Sequence, residues 1–174
     1  LWDYRERFTL CGRFFPEQEL IDAANTLVQR LEGFTFTDEW GTAEPTAFEL
    51  YTAFAFLLFS MGGCAWAVIE TGLGGRLDAT NTIMPLASVI TPIELEHTAI
   101  LGHTIALIAS EKAKIIKSGV PAFIGRQSDA ARKVFRQEAL EQGSGLSELE
   151  IEVESLATRT TMEGERVKIT WRDG

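Results

Sequence analysis

Glu70, His97 and Lys112 are the residues whose types and settings best suit chemistry in this 174-residue chain. Glu70 closes an apolar run, Cys64 to Ile69, and a turn rich in glycine follows it: Gly72, Gly74 and Gly75, then Arg76, Asp78 and Asn81. A run without polar alternation reads as a strand buried on both faces of a parallel sheet. Open α/β sheets bind ligands outside the carboxyl ends of their strands, which is where Glu70 falls. His97 follows a second apolar run, Ala87 to Thr91, by a few residues, so it is expected at the same edge beside Glu70. Taken alone, a histidine is more often structural than a ligand. Lys112 sits in a stripe of Ile105, Ile108, Ala109 and Ile116 at helical spacing. Burial disfavours an ammonium and favours the neutral amine. A neutral amine can add carbon dioxide, becoming a carbamate anion able to bridge a metal. The alternative is that Lys112 snorkels to solvent, and the helix pattern by itself favours that reading.

The glycines exclude two nucleotide-binding signatures. Leu77 stands where the dinucleotide fingerprint requires its third glycine, and no Gly-x-x-x-x-Gly-Lys-Ser/Thr occurs. What remains is a turn that permits positive φ and close approach of backbone. Structural and functional readings of that turn both stay open.

The elements that must position these residues alternate between strand and helix. Arg5–Leu10 reads as a short strand. Pro16 opens a helix with a stripe of Leu20, Ile21, Ala24, Leu27, Val28 and Leu31, and Gly33 ends it. Residues 34–44 read as a loop. Thr46 and Glu49 form a capping box, so Glu49 reads as a cap and not a catalytic group. The helix after it, to Met61, is apolar nearly all round and is expected to be buried; Gly62 and Gly63 stop it. A strand at 87–91 and a helix from Thr104 to about Lys117 come next, with Lys114 and Lys117 solvated and His103 at the helix entry. A strand at 120–125 and an amphipathic helix at 128–142 follow. From Leu149 the apolar period changes to two, as in antiparallel strands with one wet face. The pattern predicts one α/β domain over residues 1–174, a mostly parallel sheet flanked by helices with an antiparallel β tail from about 147 to 174.

Hydrophobic residues make up 45% and charged residues 24%, which is ordinary for a globular protein. A net charge of −9 argues against a nucleic-acid partner. Cys11 and Cys64 are isolated, and burial as small hydrophobes is preferred over pairing. No Cys-x-x-Cys suggests zinc. The apolar stretches are too short to span a membrane, and no signal peptide precedes the first element, so a cytoplasmic location is expected.

The run Ile69-Glu70-Thr71-Gly72-Leu73-Gly74-Gly75-Arg76-Leu77-Asp78-Ala79-Thr80-Asn81 resembles the signature of folylpolyglutamate synthase and bifunctional dihydrofolate synthase, in the wider Mur ligase family. Segments Leu1–Phe8, Phe48–Ala53, Ile90–Gly102 and Ile108–Lys117 resemble further motifs of that family in the same order. Two departures stand out: Glu96 replaces an aspartate and Lys114 replaces a glycine. The resemblance implies a central domain of P-loop NTPase type. It further implies a fragment that lacks the family's upstream P-loop and downstream C-terminal domain, and is therefore inactive alone. The activity implied for the intact protein is ATP-dependent amide-bond formation through an acyl phosphate, joining glutamate to folate or dihydropteroate. ATP and Mg2+ are the implied cofactors. Glu70 to His97 spans 27 positions and His97 to Lys112 spans 15, intervals that match the family's metal site. By that match Glu70, His97 and Lys112 (as its carbamate) serve Mg2+, with Lys112 and His97 catalytic. Gly72, Gly74, Gly75, Arg76, Asp78 and Asn81 shape the loop near nucleotide or substrate. The intact enzyme is expected as a monomer, and self-association is expected of the fragment. Two other readings are a Mur-type ligase of cell-wall precursors and a non-catalytic scaffold of the same fold; retention of Glu70, His97 and Lys112 argues against the scaffold.

Overall fold

The computed structural model describes residues 3–34, 44–161 and 164–172. The chain divides into two compact units, Leu1–Glu70 and Thr71–Gly174.

The first unit is a helical pair with a small hairpin. Tyr4–Arg7 forms a 3-10 turn, capped by the Asp3 carboxylate on the Arg5 amide, where a strand was expected from Arg5. Strand β1 (Thr9–Leu10) turns back through Cys11 and Gly12, both at positive φ, into β2 (Arg13–Phe14). Helix α1 (Glu17–Glu32) starts after Pro16 and ends at Gly33. Helix α2 (Ala47–Met61) carries the expected capping box: the Glu49 amide donates to the Thr46 hydroxyl, and the Thr46 amide donates to the Glu49 carboxylate. That box stabilises the helix by about 1 kcal/mol. The core gathers Phe8, Phe15, Ala23 and Leu58, with Phe8 edge-on to Phe54 at 5.0 Å. Two expectations fail here. The buried face of α1 runs through Ala23 and not Ala24, leaving Ile21 and Val28 exposed. In α2 only Thr52 and Leu58 are buried, because α1 and the hairpin cover one side alone.

The expected strand at Cys64–Ile69 does not form. Trp66 is 78% and Val68 98% exposed, so the run is neither paired nor covered among the described residues. A strand needs a neighbour for its backbone N–H and C=O groups, and none of the described strands runs beside it. The residues between Phe34 and Glu44 lie outside the described set, so the loop expected there is not tested.

The second unit is built on three parallel strands in the order β3 (Ser88–Ile90), β4 (Ala122–Ile124), β5 (Leu146–Glu148). Val89 pairs with Phe123 and Phe123 with Ser147. Helices α3 (Thr98–Leu101) and α4 (Ile105–Ala113) cross from β3 to β4, and α5 (Asp129–Gln142) from β4 to β5. Ile90, Ala122 and Ile124 pack with Ala109, Ala113 and Ile116 of the α4 region and with Ala131 and Phe135 of α5. Burial of Phe135 alone contributes roughly 2–3 kcal/mol. Strands β3 and β4 are buried on this one face, while Val89 and Phe123 are exposed on the other, which corrects the expectation of strands covered on both sides. Leu149–Glu152, expected as strand, is a single helical turn, α6. The antiparallel tail is the hairpin β6 (Val153–Thr161) and β7 (Gly164–Trp171), with Leu156 opposite Ile169.

Candidate active-site loop and helix

The turn after Glu70 is a compact knot around Asp78. The Leu73 amide donates to Asp78 Oδ2 at 2.8 Å, and the Thr80 amide and hydroxyl donate to Oδ1 at 3.0 and 2.6 Å. Asp78 thereby caps a 3-10 turn, Ala79–Thr82. Its carboxylate is spent on backbone and hydroxyl donors of its own loop.

This knot lies against the end of α4, and the glycines are what let it do so. A Cβ on Gly75 would lie 2.6 Å from the Glu111 carbonyl oxygen and 3.2 Å from Lys112 Cα. A Cβ on Gly74, at φ 70°, would lie 2.9 Å from a Leu101 methyl. Both glycines are buried. The close approach that the sequence left open is therefore an approach to helix backbone.

Helix α4 ends at Ala113, four residues before the expected Lys117, because the loop and its neighbours take over its last carbonyls. An α-helix leaves four C=O groups without intrahelical partners. Here the Arg76 amide donates to the Glu111 carbonyl at 3.0 Å. Asn81 Nδ2 donates to the Lys114 carbonyl at 3.3 Å, and the Ser88 hydroxyl to that of Ile115 at 2.7 Å. The Lys112 and Ala113 carbonyls accept from Ile115 and Ile116. The Arg76 side chain adds an ion pair, Nε to Glu111 Oε1 at 3.0 Å. Arg76 and Asn81 thus act on the Lys112 helix, and Gly72 is the loop's exposed lead-in. The sequence reading missed Glu111 and Ser88: their partners lie 35 and 27 residues away, and no local pattern marks such a pair.

Of the three lysines here, Lys112 is the one whose ammonium makes no hydrogen bond or ion pair among the described residues. Lys114 Nζ meets Glu138 at 2.6 Å and Lys117 Nζ donates to the Asn81 carbonyl at 2.9 Å, so neither is simply solvated as expected. Lys112 is half-buried, at the margin of a stripe whose centre is Ala109, Ala113 and Ile116, and not in its middle. His97 stands at φ 50°, ψ 35°, a left-handed backbone that costs a non-glycine residue about 1–2 kcal/mol. Its carbonyl accepts from Ile100 and Leu101, which starts α3, and its side chain is exposed. His103 precedes the Thr104 cap of α4, as expected for a helix entry. Glu70, exposed, ends the first unit, whereas His97 and Lys112 belong to the second.

Among the described residues no three His, Cys, Asp or Glu side chains gather into a group able to hold a metal. The donor types nonetheless suit Mg2+, which prefers oxygen. Glu70 offers a carboxylate as it stands. Lys112 offers oxygen once carbamylated, and His97 is the poorer donor. A side chain at Gly75 would collide with the backbone of α4 and one at Gly74 with Leu101, so the loop can lie this close only with glycine at both positions. No described helix is long and apolar enough to cross a membrane. Cys11 is exposed and Cys64 half-buried, both as free thiols; burial holds for Cys64 only in part and for Cys11 not at all.

No family model matches the chain. Curated relatives do. Over 137 residues it is 41% identical to the dihydrofolate synthase/folylpolyglutamate synthase of Bacillus subtilis, covering 78% of this chain and 31% of that protein. The structure superposes on the apo form of the L. casei enzyme with a TM-score of 0.87 at 31% identity, covering 99% of this chain and 42% of the other. It superposes equally on a complex of such an enzyme with AMPPCP and folate, with a TM-score of 0.87 at 32% identity, again over 99% and 42%. The chain thus spans between 16% and 32% of the length of these curated relatives.

Proposed function

From the homology of this chain, in sequence and structure, to the folylpolyglutamate and dihydrofolate synthases of the Mur ligase family, we propose that it serves an ATP-dependent ligase joining glutamate to folate or dihydropteroate. The observation that carries this reading is the likeness of 99% of the chain to an enzyme complexed with AMPPCP and folate. In the proposed reaction a carboxylate oxygen of the acceptor attacks the γ-phosphorus of ATP. The bond to ADP breaks and an acyl phosphate forms. The glutamate amine then attacks the acyl carbon, loses a proton, and phosphate departs. Mg2+ would offset charge on the transferring phosphate.

The chain's own residues hold and position. Glu70, His97 and Lys112, the last as its carbamate, would hold the ion. Exposed Glu70 and His97 side chains, and a Lys112 amine with no partner among the described residues, leave all three available. The loop from Gly72 to Asn81 fixes the end of α4 and with it the backbone of Lys112. The sequence contains no Gly-x-x-x-x-Gly-Lys-Ser/Thr to cradle the phosphates of ATP, so the 174-residue chain alone is proposed to be inactive.

The test is a ligase assay on the intact protein carrying this sequence, with folate and dihydropteroate as competing acceptors. ADP release should depend on glutamate and on one or both acceptors, and the panel assigns the substrate. Lys112→Ala should lower activity by orders of magnitude, with partial rescue by short carboxylic acids. Near-normal turnover by Lys112→Arg, whose guanidinium stays cationic, would refute the role of Lys112. ADP release indifferent to every acceptor would refute the ligase reading.

A further inference from the structure

We infer that Glu111 is a positioning residue for Lys112, acting through a clamp on Arg76; the inference rests on the ligase reading above. Glu111 is joined to Arg76 twice. Its carbonyl accepts from the Arg76 amide at 3.0 Å, and its carboxylate accepts from Arg76 Nε at 3.0 and 3.2 Å. The next residue along α4 is Lys112. No hydrogen bond or ion pair holds the half-buried Lys112 side chain among the described residues, so its place follows its backbone and packing.

That backbone is held at its two edges. On the N-terminal side stands the Glu111–Arg76 pair, and on the C-terminal side Asn81 on the Lys114 carbonyl. Beneath it Gly75 leaves no room for slippage, its α-carbon facing Lys112 Cα. The Glu111 side chain is 27% exposed, and the Arg76 side chain it holds 50%. As a surface pair it would add little stability. Its geometry does something else: it aligns the loop that follows Glu70 with the turn that carries Lys112. A small displacement of a reacting or ligating group lowers a rate far more than it lowers stability. The side-chain pair is therefore expected to matter to turnover and hardly at all to folding.

The test uses the intact protein with three variants. Glu111→Ala should lower kcat roughly tenfold or more while acceptor KM and the melting temperature stay near wild type. Amide hydrogen exchange across residues 73–81 should speed up in the same variant, a readout independent of turnover. Glu111→Gln, whose amide oxygen can still accept from Arg76, should recover most of both. The charge swap Arg76→Glu with Glu111→Arg should recover more than either single change. Wild-type kcat in Glu111→Ala overturns the proposal, and so does a loss of kcat matched by a fall in melting temperature, which marks a merely structural role. If Glu111→Ala fails to fold, Arg76→Ala breaks the same pair from the exposed side, and the same outcomes apply. Lys112→Ala separates the two readings. If it retains full activity, the reading of Lys112 falls. If it is inactive while Glu111→Ala is wild type, the clamp alone falls.

Discussion

Replacing Gly75 with alanine isolates the contact that joins the glycine loop to the Lys112 helix. The new Cβ would lie 2.6 Å from the Glu111 carbonyl oxygen, 3.1 Å from Ile115 Cγ2 and 3.2 Å from Lys112 Cα. Two of these are helix backbone atoms and cannot rotate aside, so loop and helix must part. Overpacking of this kind costs about 1–3 kcal/mol. Parting also stretches the 3.0 Å bond from the Arg76 amide to Glu111, worth about 0.5–1.5 kcal/mol. The sum is about 1.5–4.5 kcal/mol. Gly75 has no positive φ, so backbone strain adds nothing. Two other glycines serve as controls. Gly119, at φ 69° with nothing within 4 Å of its Cβ position, should cost about 1–2 kcal/mol on mutation to alanine, from backbone strain alone. Gly145 has neither feature and should stay within about 0.5 kcal/mol of wild type. Urea unfolding with a shared m-value ranks the three. If Gly75→Ala is less destabilising than Gly119→Ala, the close approach does not constrain the loop and the reasoning fails.

Three further outcomes follow from other parts of the chain. Hydrogen bonds from the Thr46 amide, then its hydroxyl, hold the Glu49 carboxyl below its ordinary value. A lowered folded value means this stabilisation is complete above the unfolded value of about 4.3 and is lost as pH falls through the folded value. Urea unfolding at pH 7 and pH 3 should show the gap between wild type and Glu49→Gln closing at the lower pH; an unchanged gap contradicts the cap. Lys114→Met strands the Glu138 carboxylate, which is buried, with Gln142 as its remaining side-chain partner. Allowing for a half-exposed lysine, the loss should be about 1–2 kcal/mol, with partial recovery in the double variant Lys114→Met/Glu138→Gln. The exposed run at Trp66 and Val68, with Val89 and Phe123 on the open sheet face, should make the isolated chain self-associate. A monomer at high concentration in sedimentation velocity would count against this.

The local features were legible in the sequence because each is a short-range transaction. The Thr46–Glu49 box and the helix start at Thr104 follow from side chains reaching backbone within a few residues, and the Gly62–Gly63 stop from the positive φ that glycine permits. The motif from Glu70 to Asn81 and the order of the segments around it were sufficient to suggest the family, since residue types at fixed spacing are a property of the chain alone.

What lay beyond the sequence was long-range. The apolar run before Glu70 has strand composition, but a strand exists only beside a partner, and the described chain supplies none. The end of α4 was misplaced because propensity continues to Lys117, while the donors that end it come from Arg76, Asn81 and Ser88. Arg76, Asp78 and Asn81, which the sequence reads as shaping a substrate loop, also tie that loop to itself and to α4 through partners that no local pattern marks. Lys112 looked central in a stripe drawn at 100° per residue; packing against Ala122, Ile124 and Phe135 centres the buried face on Ala113 and leaves Lys112 at its margin. Periodicity reports which side of a helix is apolar, and only the elements packed against it decide where that side ends.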